Sequence, residues 1–395
     1  MKFFSFFLLL MLISAFAYSQ NSGSSSMRAD PILDKVSQKL SSLKKIRYTN
    51  IRELNYSSEN YRNISNWSVY YDFQTNDTLT GFRYQIEDSV LKQVFNGTEK
   101  FDLNKKARTI QINDRPDKKS FSSISALYNS ISTLKNVLPL LINDKTAIKA
   151  AADTTINNTP YILITVNIGK RRIQNSGRGF DVMTTKNNFI YKIIINRNSN
   201  LPAAVLQVND LNNDFIQTSF ANIETDAAAL PELSWYYSTY TNDFKPAAEK
   251  AVPQLLSRGS SAPEWELQSY NKNEAVSLSD LKGKVILLDF WIKNCGPCIQ
   301  SVPHLNELQH KFKDRDFKII SINSYDSREE VSWFCTKHNA DYPVFLNGKP
   351  VAEKYGVSGF PAFFVIDKEG KIVYANTGYN ASIQSELEQL IEHAL

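Results

Sequence analysis

The sequence predicts two folded parts of different class. The first is an α+β domain on a mainly antiparallel, curved sheet; the second is an α/β domain whose central mixed sheet is flanked by helices. Three observations carry this reading. One amphipathic helical pattern precedes many short alternating runs. A stretch rich in Pro, Ala, Lys and Ser interrupts them at 242–261. Beyond it, a nearly continuous apolar run from Lys284 to Trp291 opens a strand, helix, strand, helix, strand order. The 395 residues suit two or three domains, and 42% hydrophobic with 22% charged residues excludes disorder over the whole length. The surplus of 45 basic over 40 acidic residues is small, and no Lys/Arg stripe interleaves with stacking aromatics, so nucleic acid is not an expected partner. Three cysteines exclude a disulfide-stapled scaffold.

In chain order, residues 1–20 read as a secretory signal. Lys2 is the positive start, Phe3 to Phe16 is almost wholly apolar, and Ala15-Phe16-Ala17 offers small residues at the −3 and −1 positions. Cleavage is expected after Ala17 or Gln20. The run falls short of the roughly 18 residues a spanning helix needs, so the mature protein is expected to be soluble and extracytoplasmic, in a periplasm. Domain one is expected at 21–241. Asp30-Pro31 reads as an N-cap with proline at N1, and Ile32, Leu33, Val36, Leu40, Leu43 and Ile46 continue a helix over 31–46. Strands are expected at 47–55, 67–74, 81–88, 92–103 and 107–113, a helix at 121–143, and strands at 160–168, 188–196, 201–208 and 214–222. The linker 242–261 has room for a short helix around Ala247 to Leu256, and domain two covers 262–395.

The opening segment Ile32 to Tyr48, the short-strand run Gly81-Phe82-Arg83-Tyr84-Gln85-Ile86, Val94-Phe95-Asn96-Gly97-Thr98 and Asn200-Leu201-Pro202 resemble the LolA-like lipoprotein carriers. In that family helices plug a concave half-barrel. The resemblance implies a lipid or other apolar ligand in the concavity; a β-rich partner-binding domain is the alternative.

Chemistry is concentrated in domain two. Cys295-Gly296-Pro297-Cys298 follows the apolar strand and opens a helix bearing Val302, Leu305, Leu308 and Phe312. A cysteine at a helix N-terminus meets free backbone N–H groups and the positive end of the dipole, so Cys295 is expected to be an activated thiolate. Cys298 lies one turn on, in reach of a mixed disulfide formed by Cys295. Half a zinc site is the competing reading, but no second ligand pair follows, and no metal is expected. Asp289 stands inside the apolar strand, where burial raises a carboxyl pKa.

Val285-Ile286-Leu287-Leu288-Asp289-Phe290-Trp291 before this Cys-Gly-Pro-Cys resembles the thioredoxin superfamily. With Ala262-Pro263-Glu264-Trp265-Glu266-Leu267, Leu278-Ser279-Asp280-Leu281-Lys282-Gly283-Lys284 and Tyr355-Gly356-Val357-Ser358-Gly359-Phe360-Pro361, it is similar to extracytoplasmic TlpA/ResA-type thiol–disulfide oxidoreductases. The resemblance implies a thioredoxin-like fold and a redox-active Cys295–Cys298 disulfide in place of any cofactor. It also implies protein thiol or disulfide clients and a membrane electron donor. It gives Asp289 the proton transfer for Cys298, makes Phe360-Pro361 a cis pair facing the dithiol, puts Gly296 and Pro297 with that pair at the substrate, and makes Trp291, near the dithiol, a packing and substrate-rim residue. The Gly-Pro interior favours a reducing poise, nearer roughly −270 mV than about −120 mV. Three positions depart from the family pattern: Asn294 replaces an aromatic residue, Ser301 a glutamate, and Ser321 a lysine. Cys335 is expected to be a buried, unreactive thiol, and His304 a solvated helix residue. The expected function is an extracytoplasmic disulfide reductase. The alternative is a lipid- or partner-binding envelope protein with an accessory thioredoxin-like domain.

Overall fold

A computed structural model describes residues 27–75, 77–183, 186–248, 253–272 and 274–395. The expected signal, residues 1–20, lies outside them. Among the described residues no helix is long and apolar enough to cross a membrane. The chain divides into two compact units between Ala248 and Glu249.

The first unit opens with α1 (Ala29–Ser41), which buries Leu33, Val36 and Leu40 along one stripe. Arg28 is its N-cap, so Asp30 and Pro31 sit in the first turn rather than at the cap and N1. The helix also stops earlier than expected. Ile46 continues the helical spacing, yet it belongs equally to the alternation Ile46, Tyr48, Asn50, and twelve-residue pairing with a neighbouring strand decides in favour of β structure. The strands are β1 (Lys45–Tyr56), β2 (Tyr61–Asp72), β3 (Arg83–Glu87), β4 (Leu91–Phe95), β5 (Lys100–Asn104) and β6 (Thr109–Asn113). After α2 (Ile131–Asn143) come β7 (Ile148–Ile156), β8 (Thr159–Asn167), β9 (Arg171–Ile173), β10 (Phe180–Val182), β11 (Phe189–Asn196), β12 (Pro202–Asn209), β13 (Phe215–Glu224) and β14 (Lys245–Pro246).

Twelve of these form one curved sheet in the order β14-β6-β5-β4-β3-β2-β1-β13-β12-β11-β8-β7, and β9 and β10 form a separate hairpin. Neighbours are antiparallel except β14 on β6. Among the described residues the sheet ends on β14 and β7, the latter met only by a single antiparallel bridge from Met27 to Ala151, and does not close into a barrel. Two expectations are corrected here. The run 92–103 is two strands, because Asn96 Oδ1 accepts from Thr98 N and Glu99 N at 2.9 Å each and Gly97 takes φ +105°. Residues 118–127 form two 3₁₀ turns, and the helix starts only at Ile131, with Ser130 Oγ capping Thr133 N at 3.2 Å. Both helices pack on one sheet face around Tyr48, Tyr71, Phe95 and Tyr191. Lys135 of α2 donates to the terminal carbonyls of α1, Leu40 O at 2.7 Å and Ser41 O at 3.0 Å. Much of the concavity is thus filled by side chains.

The second unit contains β15 (Glu266–Ser269), β16 (Ala275–Ser277), β17 (Val285–Trp291), α3 (Gly296–Lys311), β18 (Phe317–Asn323), α4 (Arg328–His338), β19 (Val344–Leu346), α5 (Lys349–Lys354), β20 (Ala362–Ile366), β21 (Ile372–Thr377) and α6 (Ala381–Ala394). Its sheet runs β16-β15-β19-β18-β17-β20-β21, with β17–β18 and β18–β19 parallel and the remaining pairs antiparallel. Every residue of central β17 is buried, since one core covers Val285, Leu287 and Trp291 and another covers Ile286, Leu288 and Phe290. Described residues 253–256 are not helical, so the helix expected near Ala247 to Leu256 is absent there; Leu256 N instead donates to Tyr355 O at 3.2 Å.

Candidate active site

Central β17 ends at one end of the sheet, and Ile292-Lys293-Asn294 carries the chain to Cys295, the N-cap of the sixteen-residue helix α3. Gly296 and Pro297 occupy the first helical turn, where the missing proline N–H leaves no bond unmade. Cys295 Sγ accepts from Cys298 N at 3.2 Å, as a serine oxygen does at an ordinary N-cap. Cys295 and Cys298 are joined as a disulfide, the former 8% exposed and the latter 2%. The two residues between them are exposed, and a Cβ on Gly296 would meet nothing within 4 Å. The attacked sulfur therefore lies under an open turn.

Asp289 shares its strand face with Val285, Leu287 and Trp291, the face covered by α3. It is 2% exposed, and burial pushes its carboxyl up to about 7. Ser321, directly across in β18, donates Oγ–H to Asp289 Oδ2 at 2.8 Å and opposes that rise. The other carboxylate oxygen has no partner among the described residues. The serine that departs from the family pattern thus serves as the carboxylate's donor.

Phe360–Pro361 is a cis peptide bond. Ala362, next in sequence, pairs with Phe290, so Phe360 and Pro361 emerge at the sheet end from which Cys295 emerges. The sequence reading missed the third loop at this end. Asp326 Oδ2 accepts Lys293 N at 2.6 Å and Asn323 Nδ2 at 2.7 Å, tying the turn after β18 to the approach to Cys295. Tyr325 in that turn is 60% exposed and meets the Phe360 ring edge-on at 5.9 Å. The polar run Asn323-Ser324-Tyr325-Asp326-Ser327 is a turn signature that could have marked it.

Trp291 is 3% exposed with its ring 4.3 Å from Phe334 and packs in the same core as Cys295 and Cys298. The expectation of a solvated His304 fails on burial. His304 is 3% exposed, faces Tyr379, and has both ring nitrogens without partners among the described residues; burial lowers its pKa. It shares the buried face of α3 with Ser301, Leu305 and Leu308, which its three-residue spacing from Ser301 explains. Ser301 Oγ donates to Cys298 O at 2.9 Å. Cys335 is free and buried, and burial pushes its thiol up to about 11. Among the described residues no cluster of three or more His, Cys, Asp or Glu is placed to hold a metal ion.

A dithiol at a helix N-terminus, backed by a buried carboxyl and set just past the end of the central strand of this mixed sheet, defines a thioredoxin-fold thiol–disulfide oxidoreductase. Comparison with known proteins agrees. The Redoxin family model matches residues 257–391. Thiol-disulfide oxidoreductase ResA of Bacillus subtilis is 36% identical over 129 residues, 32% of this chain and 72% of that one. ResA of Bacillus thuringiensis strain Al Hakam is 33% identical over 140 residues, 35% of this chain and 79% of that one. The solved thioredoxin domain of a thiol-disulfide oxidoreductase from Bacteroides vulgatus covers 34% of this chain and 99% of its own, at 30% identity and a TM-score of 0.32. Through its second unit the chain belongs to the ResA-type family of thiol–disulfide oxidoreductases.

Proposed function

We propose that the protein is an extracytoplasmic reductase of protein disulfides. The observation that carries this reading is the Cys298 N–H donated to Cys295 Sγ at the N-cap of α3, a contact that favours a thiolate on Cys295 once the pair is reduced. That thiolate attacks one sulfur of a client disulfide, forming a mixed disulfide and releasing the first client thiolate. Cys298 gives its proton to ionised Asp289 and attacks Cys295 Sγ. The Cys295–Cys298 bond forms, the mixed disulfide breaks, and the second client thiolate leaves. The client gains two electrons and the protein loses two, which a membrane electron donor then restores. An acid with a pKa of about 7 is divided between its two forms near neutrality, as a relay requires. Gly296, Pro297, Phe360 and Tyr325 supply the client-facing surface, and Pro361 the backbone beside it.

An insulin-reduction assay with dithiothreitol tests the reading. The wild type is expected to accelerate precipitation and Cys295→Ser to abolish the effect; equal rates would reject the assignment.

A second reading has its own observation. A cavity of about 670 Å³ in the first unit is lined by Leu79, Phe82, Phe121, Leu127 and Ile173 together with charged Lys118, Arg172, Arg178 and Asp181, a mixture that suits a lipid-like ligand with a polar head. Native mass spectrometry of protein purified without detergent is expected to show a bound lipid-like mass; a bare chain mass would refute it.

A further inference from the structure

The concave face of the first unit changes character along β1. Period-two positions on that face run Ile46, Tyr48, Asn50, Arg52, from apolar residues buried beneath the helices to a half-buried cation. Arg52 pairs across the sheet with Thr218 of β13, and Thr218 with Val205 of β12. Tyr128 passes above them. Its hydroxyl donates to Gln207 Oε1 at 3.1 Å, its carbonyl accepts from Thr218 Oγ1 at 3.3 Å, and its ring lies 4.7 Å from the Arg52 guanidinium. Arg52, Tyr128 and Gln207, with Tyr56, Arg172, Phe189, Asp214 and Ile216, line a cavity of about 400 Å³.

The charges of this cavity are unequal in their partners. Asp214, its carboxylate, is satisfied by Ser58 N at 2.8 Å and Asn212 Nδ2 at 3.0 Å. Arg172 reaches Asp181 Oδ2 at 3.3 Å, although its Nε too is buried without an acceptor among the described residues. Arg52 makes no ion pair among the described residues, and its Nε is buried without an acceptor. Half-burying a guanidinium without a counter-ion is costly, and the face of one tyrosine offsets only part of that cost. A carboxylate entering the cavity would meet the fork geometry that arginine matches best, and although the lining is mainly polar, with Gln207, Asn209 and Asn212, the rings of Tyr128 and Phe189 and the side chain of Ile216 offer contact to an apolar body.

We propose that this end of the concave sheet binds a small organic carboxylate, with its anionic end on Arg52 and its apolar body against Tyr128, Phe189 and Ile216. The site belongs to the first unit and does not depend on the dithiol.

Calorimetric titration of the full chain, purified without detergent, tests it with decanoate, decanol and inorganic phosphate. Decanoate is expected to bind saturably and decanol about tenfold or more weakly, the difference of one charge-assisted hydrogen bond. Arg52→Gln should weaken decanoate by a similar factor while Arg52→Lys, which keeps the charge but not the fork, falls between Arg52→Gln and wild type, and insulin reduction by Arg52→Gln should match wild type. Equal affinity for decanol, unchanged decanoate binding by a folded Arg52→Gln, phosphate binding as tight as decanoate, or no saturable decanoate binding would each overturn the proposal. Should Arg52→Gln fail to fold, the comparison of decanoate with decanol on the wild type decides alone.

Discussion

Asp289 illustrates how one side chain links stability to chemistry. Its pKa lies at about 7 against an ordinary aspartate value of 3.8, because burial disfavours the charged form. Below the lower value both the folded and unfolded chains hold the proton. Between the two values the unfolded chain ionises and the folded chain does not, so stability falls as pH rises through that window and levels off above it. The difference corresponds to on the order of 4 kcal/mol. Asp289→Asn should therefore stabilise the protein against denaturant at pH 8 and leave it nearly unchanged at pH 4; an equal effect at both would refute this account. Ser321→Ala removes the donor to the carboxylate, so the inflection in the rate of mixed-disulfide resolution should move to higher pH, as stopped-flow measurements would report. Cys295, Cys298 and Asp289 were legible in the sequence because each conflicts with its surroundings, a thiol pair in a turn and an acid in an apolar run. Nothing comparable marked His304, since one residue decides which side of a helix a position faces. The packing partner of Trp291, Phe334, was not legible either, because the contact joins segments distant in sequence.

At the scale of elements, a consistent pattern counted for more than length: nine-residue β7, Ala-rich and mostly exposed, was not expected, while five-residue β3 and β6 were. β17, β18 and α6 announce themselves by runs of seven or more residues with a consistent pattern. β9, β10, β16 and β19 hold three residues each, too few for any period to show. The ends of α1 and α2 went wrong where apolar spacing suited two structures and strand pairing or a turn decided between them. Short α5 is instead fixed by its C-terminal stop. Gly356 N donates to Glu353 O at 3.2 Å and Val357 N to Ala352 O at 2.8 Å, with Gly356 at φ +70°. A Cβ at Gly356 would stand 1.9 Å from Gln254 O. Gly356→Ala should cost at least about 2 kcal/mol in denaturant unfolding, since it combines a left-handed backbone with a backbone clash. A loss below a few tenths would show that the stop tolerates a side chain.

The whole molecule combines two units, each with hydrophobic clusters of its own. Calorimetry of the full chain should accordingly show two transitions, and Asp289→Asn at pH 8 should raise only the one belonging to the dithiol unit. A single transition, or movement of both, would contradict two separate cores. The account of the molecule's chemistry rests on the state of one sulfur, and the pH dependence of alkylation of the reduced protein by iodoacetamide reads that state directly. The predicted midpoint for Cys295 lies at least one pH unit below the value of about 8.5 for a free thiol, with Cys298 alkylated far more slowly. A midpoint at that free-thiol value would mean that the start of α3 does not stabilise the thiolate, and the reductase mechanism would fall with it.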